Sequence, residues 1–222
     1  MLNLSTQNLN NAVLGEVVKV KYLGQQDYSP VWQQMQSYNR NRTAHTIDEI
    51  WFLQHNAVYT QGQAGKPEHL LNTANIPVVQ SDRGGQVTYH GPGQLIVYFL
   101  TDLQRKNIGI RQFVCLLEDA VIELLAAYGI TAAGDRAAPG VYVNKAKICA
   151  LGLRVRHGRT YHGLSLNVAM DLEPFSRINP CGYAGMPIAQ MQDFVAKINI
   201  DVVTSQLKTI LIQKIAYAGI TT

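Results

Sequence analysis

The stretch KICALGLRVRHGRTYHGLSLNV, residues 147–168, decides the fold. Its two arms, residues 147–155 and 161–168, are rich in branched and aromatic side chains, the composition of β-strands. Only Arg156-His157-Gly158-Arg159-Thr160 lies between them. A parallel crossover needs a dozen residues or more, whereas a short connection containing glycine suits a hairpin. The two arms are therefore expected to be antiparallel neighbours. Four more strand-like runs lie outside this hairpin, at residues 17–23, 50–59, 94–99 and 140–143. Ser29-Pro30 supplies a helix start, and Val31, Met35 and Tyr38 recur near helical spacing, which predicts a helix from Pro30 to about Arg42. After Ile110, a stripe of Val114, Leu117, Val121, Leu124, Leu125 and Tyr128 predicts a second helix that Gly129 ends. A third amphipathic segment runs from Val202 to about Ile215. The expected architecture is α/β (α+β), a mixed and largely antiparallel sheet flanked by helices.

Hydrophobic types make up 47% of the 222 residues and charged types 15%, against roughly 25% charged in ordinary soluble domains. That balance excludes disorder, coiled coil and collagen. The longest wholly apolar stretch covers residues 95–100, far short of the ~20 residues of a membrane helix. No repeat and no Pro-, Ser- or Gly-rich linker divides the chain, so one catalytic-size domain over residues 1–222 is expected, with residues 1–16 as a loose arm. The N-terminal MLNLSTQNLNN has neither a basic region nor a sustained apolar one, so a cytoplasmic protein is expected. Nineteen Lys and Arg against 15 Asp and Glu give a net charge of +4. This excess is too thin for a nucleic-acid binder and favours acidic protein partners.

Residues 83–94, RGGQVTYHGPGQ, collect four glycines, an arginine and a histidine just before an apolar strand. Either the glycines merely supply a tight turn, or they let the backbone approach a ligand closely. The phosphate-loop lysine and the dinucleotide spacing are both missing. His90 and His162 read equally as satisfied core histidines, and His45, His55, His69 and His157 lack the clustering of a metal site, so no metal and no cofactor are expected. Three cysteines, an odd number, argue against a disulfide framework. Cys115 reads as packing in the second helix. Cys149 lies two residues from Lys147, hence on the same strand face, as core or as site lining. Cys181 in INPCGYAGM follows a proline and precedes a glycine, which allows either a pre-positioned loop thiol or an inert one. Lys147, in an otherwise apolar strand, either snorkels to solvent or occupies a cavity.

RGGQVTYHGPGQ, KICALGLRV, YHGLSLNV and INPCGYAGM stand in this order between Arg83 and Met186, and with them the chain resembles the lipoyl(octanoyl) transferases. The resemblance covers nearly the whole chain. It implies the fold of the catalytic domain of lipoate and biotin protein ligases, and transfer of an octanoyl group from octanoyl-acyl carrier protein to a lysine of lipoyl domains, through a cysteine thioester. The acceptors it implies are the lipoyl domains of 2-oxoacid dehydrogenase complexes and the glycine cleavage H protein, with no nucleic acid and no membrane involved. Carried over by position, it makes Cys181 the nucleophile and Lys147 its activating base. Acyl recognition would fall on Arg83, Gly84, Gly85, Gln86, Val87, Thr88, Tyr89 and His90, on Ala150, Leu151 and Gly152, and on Gly163, Leu164 and Ser165. The competing readings are an ATP-dependent lipoate or biotin protein ligase and a non-catalytic module that binds lipoyl domains.

Overall fold

The computed structural model describes residues 17–135 and 138–221, apart from the side chain of Cys181. The arm expected over residues 1–16 lies outside the described residues. In chain order the elements are β1 (Val17–Gln26), α1 (Tyr28–Asn41), β2 (Asp48–His55), β3 (Val58–Gln61), β4 (Val78–Gln80), β5 (Val87–His90) and β6 (Gln94–Leu100). They continue with α2 (Ile110–Ala127), β7 (Ala133–Gly134), β8 (Gly140–Val143), β9 (Ala146–Arg156), β10 (Arg159–Asn167), α3 (Ile200–Lys214) and β11 (Gly219–Thr221). Eight strands form one sheet in the order β11-β1-β2-β6-β10-β9-β8-β7. Its β1 pairs are parallel and all its other pairs antiparallel. A second sheet, β4-β3-β5, lies beside it.

Both faces of the large sheet are covered, so its central strands read as unbroken apolar runs. Every residue of β6 is buried. Leu95, Val97 and Phe99 face α2 and α3, where they meet Phe113, Leu117, Leu124 and Leu207. Ile96, Tyr98 and Leu100 face the other way, onto Val31 and Met35 of α1. This is the period-2 alternation of a strand with two dry sides. At ~1.5–3 kcal/mol for each large apolar side chain removed from water, these two layers dominate the favourable side of folding.

The decisive hairpin is β9–β10. Arg156 pairs with Arg159, so the turn is only His157-Gly158, with φ of +52° and +74°, the conformation that matches the twist of two-residue hairpins. Elsewhere the boundaries move for local reasons. Helix α1 starts at Tyr28 rather than Pro30, which leaves the proline in the first turn, where its missing N–H has no intrahelical partner to lose. Helix α3 starts at Ile200 because the Asn199 side chain accepts hydrogen bonds from the N–H groups of Asp201 and Val202. The single run expected over 50–59 breaks at Asn56, whose side chain donates to Asp27, and its two halves enter different sheets. Cys115 is exposed, a correction to its expected packing role. At about 100° per residue it stands some 200° around α2 from both Phe113 and Leu117, which are buried.

One polar cluster lies inside the fold. Fully buried Asp48 accepts from Arg42 and Arg105, from the Tyr217 hydroxyl at 2.9 Å and from the Asp102 N–H at 3.0 Å. It ties α1, β2, the segment after β6 and the C-terminal segment together.

Candidate active site

A cavity lies on the α1 side of the large sheet, beneath the segment 83–88. It offers about 70 Å³ to the centre of a water-sized sphere, several times the ~10–15 Å³ that one water takes by that measure. Its floor includes Ala150, Leu151 and Gly152 of β9 and Gly163, Leu164 and Ser165 of β10. Its roof includes Arg83, Gly84, Gly85, Gln86, Val87 and Thr88, with His90 and Lys147 also on its walls. Thus the three separated segments singled out in the sequence meet around one space. Tyr89 does not join them. Its neighbours on β5 turn inward, whereas its own ring packs against Tyr59 and Phe175, each with centroids 5.5 Å away. Nor is the stretch 83–94 merely a tight turn, since its centre is the strand β5.

The roof is fastened from within. Gly84 N–H donates to the Leu153 carbonyl at 3.1 Å. The guanidinium of Arg83 donates to Thr60 Oγ1 (3.0 Å), to the Gly84 carbonyl (2.9 Å) and to the Gln86 carbonyl (2.7 Å). Arg83 therefore shapes the loop. The floor needs glycine at 163, because a Cβ there would lie 2.0 Å from the Val97 carbonyl oxygen.

Lys147 is 5% exposed, and a strand irregularity aims it. Tyr142 pairs with Lys147 but Val141 pairs with Cys149, so Ile148 is an extra residue, a β-bulge. Ile148 and Cys149 both enter the apolar core, whereas Lys147 lines the cavity. The expectation that Lys147 and Cys149 share a face thus fails at this bulge. Burial pushes the Cys149 thiol well up, against a smaller opposing effect of the Lys147 charge. A thiol so held is inert. Lys147 Nζ lies 3.4 Å from the Pro139 carbonyl and 5.1 Å from the Tyr142 ring centroid. Its backbone is pinned by Pro187 and Ala189 at 2.8 and 3.0 Å. Glu118 of α2 accepts from the Gly140 N–H at 2.8 Å. Burial raises its carboxyl pKa and the Lys147 charge lowers it, which makes Glu118 an electrostatic neighbour of the lysine.

Beyond the floor glycines the cavity meets a cluster of rings, Tyr28, His90, Tyr98 and His162, with His55 behind them. His90 Nδ1 is 2.7 Å from Gln94 Oε1, His55 Nε2 is 2.7 Å from the Tyr98 hydroxyl, and His162 Nε2 is 2.9 Å from Asp82 Oδ1. Burial pushes all three imidazoles down, His55 to about 4 and His90 well below its usual range. Burial alone would raise Asp82, but hydrogen bonds from His162, Tyr161 and Trp32 hold its carboxyl far below the carboxylate range. At neutral pH the imidazoles are uncharged, and this end of the cavity suits an apolar chain. The parts of His55 and Glu118 were not legible in the sequence because both reach the site through long-range packing, and that of Asp82, although it precedes Arg83, because its partners Trp32, Tyr161 and His162 are distant in the chain.

Cys181 belongs to the short turn Pro180–Gly182, and Pro180 lines the cavity. Its side chain lies outside the described residues. Among the described residues no helix is long and apolar enough to cross a membrane, and no three His, Cys, Asp or Glu side chains are grouped to hold a metal ion.

Residues 27–212 match the family described as the lipoyl protein ligase A/B catalytic domain. The chain is 56% identical over 198 residues to an octanoyltransferase of Vibrio vulnificus strain YJ016, covering 89% of this chain and 91% of that protein. The chain belongs to the octanoyltransferase family. It is an enzyme of the acyltransferase class, and its family membership supports octanoyl transfer in protein lipoylation. The fold is shared more widely. A bipartite lipoate protein ligase from Thermoplasma acidophilum, solved in a study with its E2 lipoyl domain, superposes with a TM-score of 0.72 at 17% identity, over 91% of this chain and 84% of that one. A biotin protein ligase from Aquifex aeolicus with biotin and ATP gives 0.55 at 11% identity, over 89% and 70%. These likenesses concern the fold.

Proposed function

We propose that this enzyme moves an octanoyl group from octanoyl-acyl carrier protein to a specific lysine of a lipoyl domain, by way of a thioester on Cys181, in the cytoplasm and on a single catalytic domain. The observation that carries the proposal is the burial of Lys147 at the wall of a cavity that Pro180, the residue before Cys181, also lines. Lys147 takes the thiol proton and the thiolate attacks the donor thioester carbon. The tetrahedral intermediate collapses, and the carrier thiolate leaves with the proton from Lys147. One thioester replaces another, so the step is nearly balanced and needs no ATP. The acceptor lysine, with a usual pKa near ~10.4, is mostly ammonium and must lose a proton before it attacks. Lys147 receives one of the two protons the nitrogen must shed and returns it to the departing Cys181 thiolate, the other is lost to solvent, and an amide results.

The uncharged ring cluster and glycine-floored cavity take the acyl chain. Burying seven apolar carbons at ~0.8 kcal/mol each contributes ~5–6 kcal/mol before ordering costs. One carbon more or less changes this by only ~1–3 kcal/mol, so neighbouring chain lengths are used, less well. The lipoyl domains of 2-oxoacid dehydrogenase complexes and the glycine cleavage H protein are the acceptors, in line with the E2 lipoyl domain studied with the Thermoplasma ligase. Octanoyl carrier protein given without acceptor should acylate Cys181 through a hydroxylamine-sensitive bond, read by peptide mass spectrometry. Acyl group on Cys149 or Cys115 instead, or none at all, would overturn the assignment.

A further inference from the structure

Both half-reactions build negative charge on the acyl carbonyl oxygen, and rate depends on a donor fixed where that charge appears. The backbone beside Cys181 is already committed. Gly182 N–H donates to the Asn179 carbonyl at 2.9 Å and Tyr183 N–H to the Pro180 carbonyl at 3.1 Å. Facing the same turn is the Gln86 side chain. Its Nε2 lies 3.1 Å, and its Cδ 3.3 Å, from where a Cβ on Gly182 would stand. Its Oε1 is buried with no hydrogen-bond partner. Its main chain, by contrast, is anchored, since the Gln86 carbonyl accepts from Arg83 at 2.7 Å and from Gly62 N–H at 3.2 Å. Leaving that one side-chain oxygen, Oε1, unpartnered opposes folding, and an apolar side chain of the same length would fill this wall without that penalty. An acyl oxygen cannot satisfy that acceptor, so what points to the substrate is the other end of the amide, the Nε2 that stands against the turn carrying Cys181 on the wall of the cavity.

We infer that Gln86 is the oxyanion donor of the transfer, its carboxamide N–H bonding the acyl carbonyl oxygen as the C–S bond forms. Resting on the reading of Cys181 as acyl carrier, this names the group that stabilises the intermediate there. The electron pair of the C=O bond moves onto the oxygen held by Gln86, then returns as the donor thiolate, or later the Cys181 thiolate, departs. Two donors on one nitrogen, and an amide that can turn over about its last torsion, let either acyl orientation be met. His69 is the rival donor, with Nε2 3.3 Å from the same Gly182 position and a buried, unpartnered Nδ1. Unlike Gln86, it does not line the cavity.

The test uses octanoyl carrier protein labelled with carbon-13 at the carbonyl, single-turnover kinetics, and difference infrared spectra of the acyl enzyme. Gln86→Met keeps the length and removes both donors. Acylation and transfer should each slow by about 10²–10³-fold, with KM for the carrier protein changed far less. The labelled carbonyl band should move to higher frequency as its hydrogen bond is lost, and thermal unfolding should occur at the same temperature or higher. His69→Gln should leave the band in place. A native acyl enzyme whose band does not move in Gln86→Met overturns the role of Gln86 alone, as does a band that moves only in the His69 variant. If the native protein forms no acyl enzyme, the Cys181 reading falls and the Gln86 role falls with it.

Discussion

Gly140→Ala should slow and destabilise the enzyme without altering any side chain that carries chemistry. A Cβ at this position would stand 2.9 Å from the Cys149 carbonyl oxygen, 3.1 Å from Lys147 Cε and 3.3 Å from Nζ. Comfortable carbon contacts lie at ~3.5–4.0 Å, so something must move by about half an ångström. The carbonyl belongs to the β8–β9 ladder and cannot give way. The lysine head is the movable part. The native φ of +154° adds to the difficulty, because only glycine adopts that region readily. Strain and overpacking of this kind each cost ~1–3 kcal/mol, so a loss of ~2–4 kcal/mol in stability is expected. Misplacing a catalytic group by about 1 Å costs up to ~10²-fold in rate, and a shift half as large should cost about 10-fold. Urea unfolding measures the first effect, and single-turnover acyl transfer by the folded protein the second. Native transfer rates in a destabilised Gly140→Ala protein would refute the claim that this glycine positions Lys147 for the reaction.

The two jobs of Lys147 separate by substitution. Lys147→Arg keeps a charge that favours the Cys181 thiolate but neither takes nor returns a proton, so acylation should persist at a reduced rate while transfer to the acceptor lysine stalls, and Lys147→Met should slow both, each half followed by rapid quench. Asp48→Ala should cost ~3–5 kcal/mol by leaving Arg42 buried without its partner. Because Asp48 does not line the cavity, the folded fraction of that variant should transfer at the native rate. The depressed pKa of His55, about 4 against a usual 6.5, means that the unfolded chain binds the extra proton first. Stability from this group is therefore complete above pH ~6.5 and declines by up to ~3 kcal/mol as pH falls toward 4. Urea midpoints across that range should show the decline, and His55→Gln should flatten it.

The hairpin at 147–168 was legible because period-2 composition and a short glycine connection are local facts, and so were the three helices, whose apolar stripes are also local. What escaped was set by register between distant strands. The bulge at Ile148 appears only when β9 is laid against β8, and it sends Lys147 and Cys149 to opposite sides although their spacing in sequence puts them on one. Tyr89 sits between Thr88 and His90, which line the cavity, yet the two sides of a four-residue strand have different neighbours. Cys115 shows the same limit on a helix, where a position two residues from the stripe falls on the wet face. His55 and Glu118 reach the site from β2 and α2, and Asp82, beside Arg83, joins it through Tyr161 and His162 of β10. Glycines were the most informative residues in the opposite sense, since a Cβ at 163 would lie 2.0 Å from the Val97 carbonyl oxygen, and one at 84 or 152 would press to 3.2 Å on the carbonyl oxygen of Leu153 or of Gly84.

The central claim is that the octanoyl group rests on this protein between donor and acceptor. Acyl enzyme made from octanoyl carrier protein, freed of donor and then mixed with a lipoyl domain in the absence of ATP, is the direct test. One octanoyl amide on the acceptor lysine for each acyl enzyme consumed, with the Cys181 thiol regenerated at the same rate, is the predicted result. Acyl enzyme that stays loaded in the presence of acceptor, or that yields amide only when ATP is added, would contradict it.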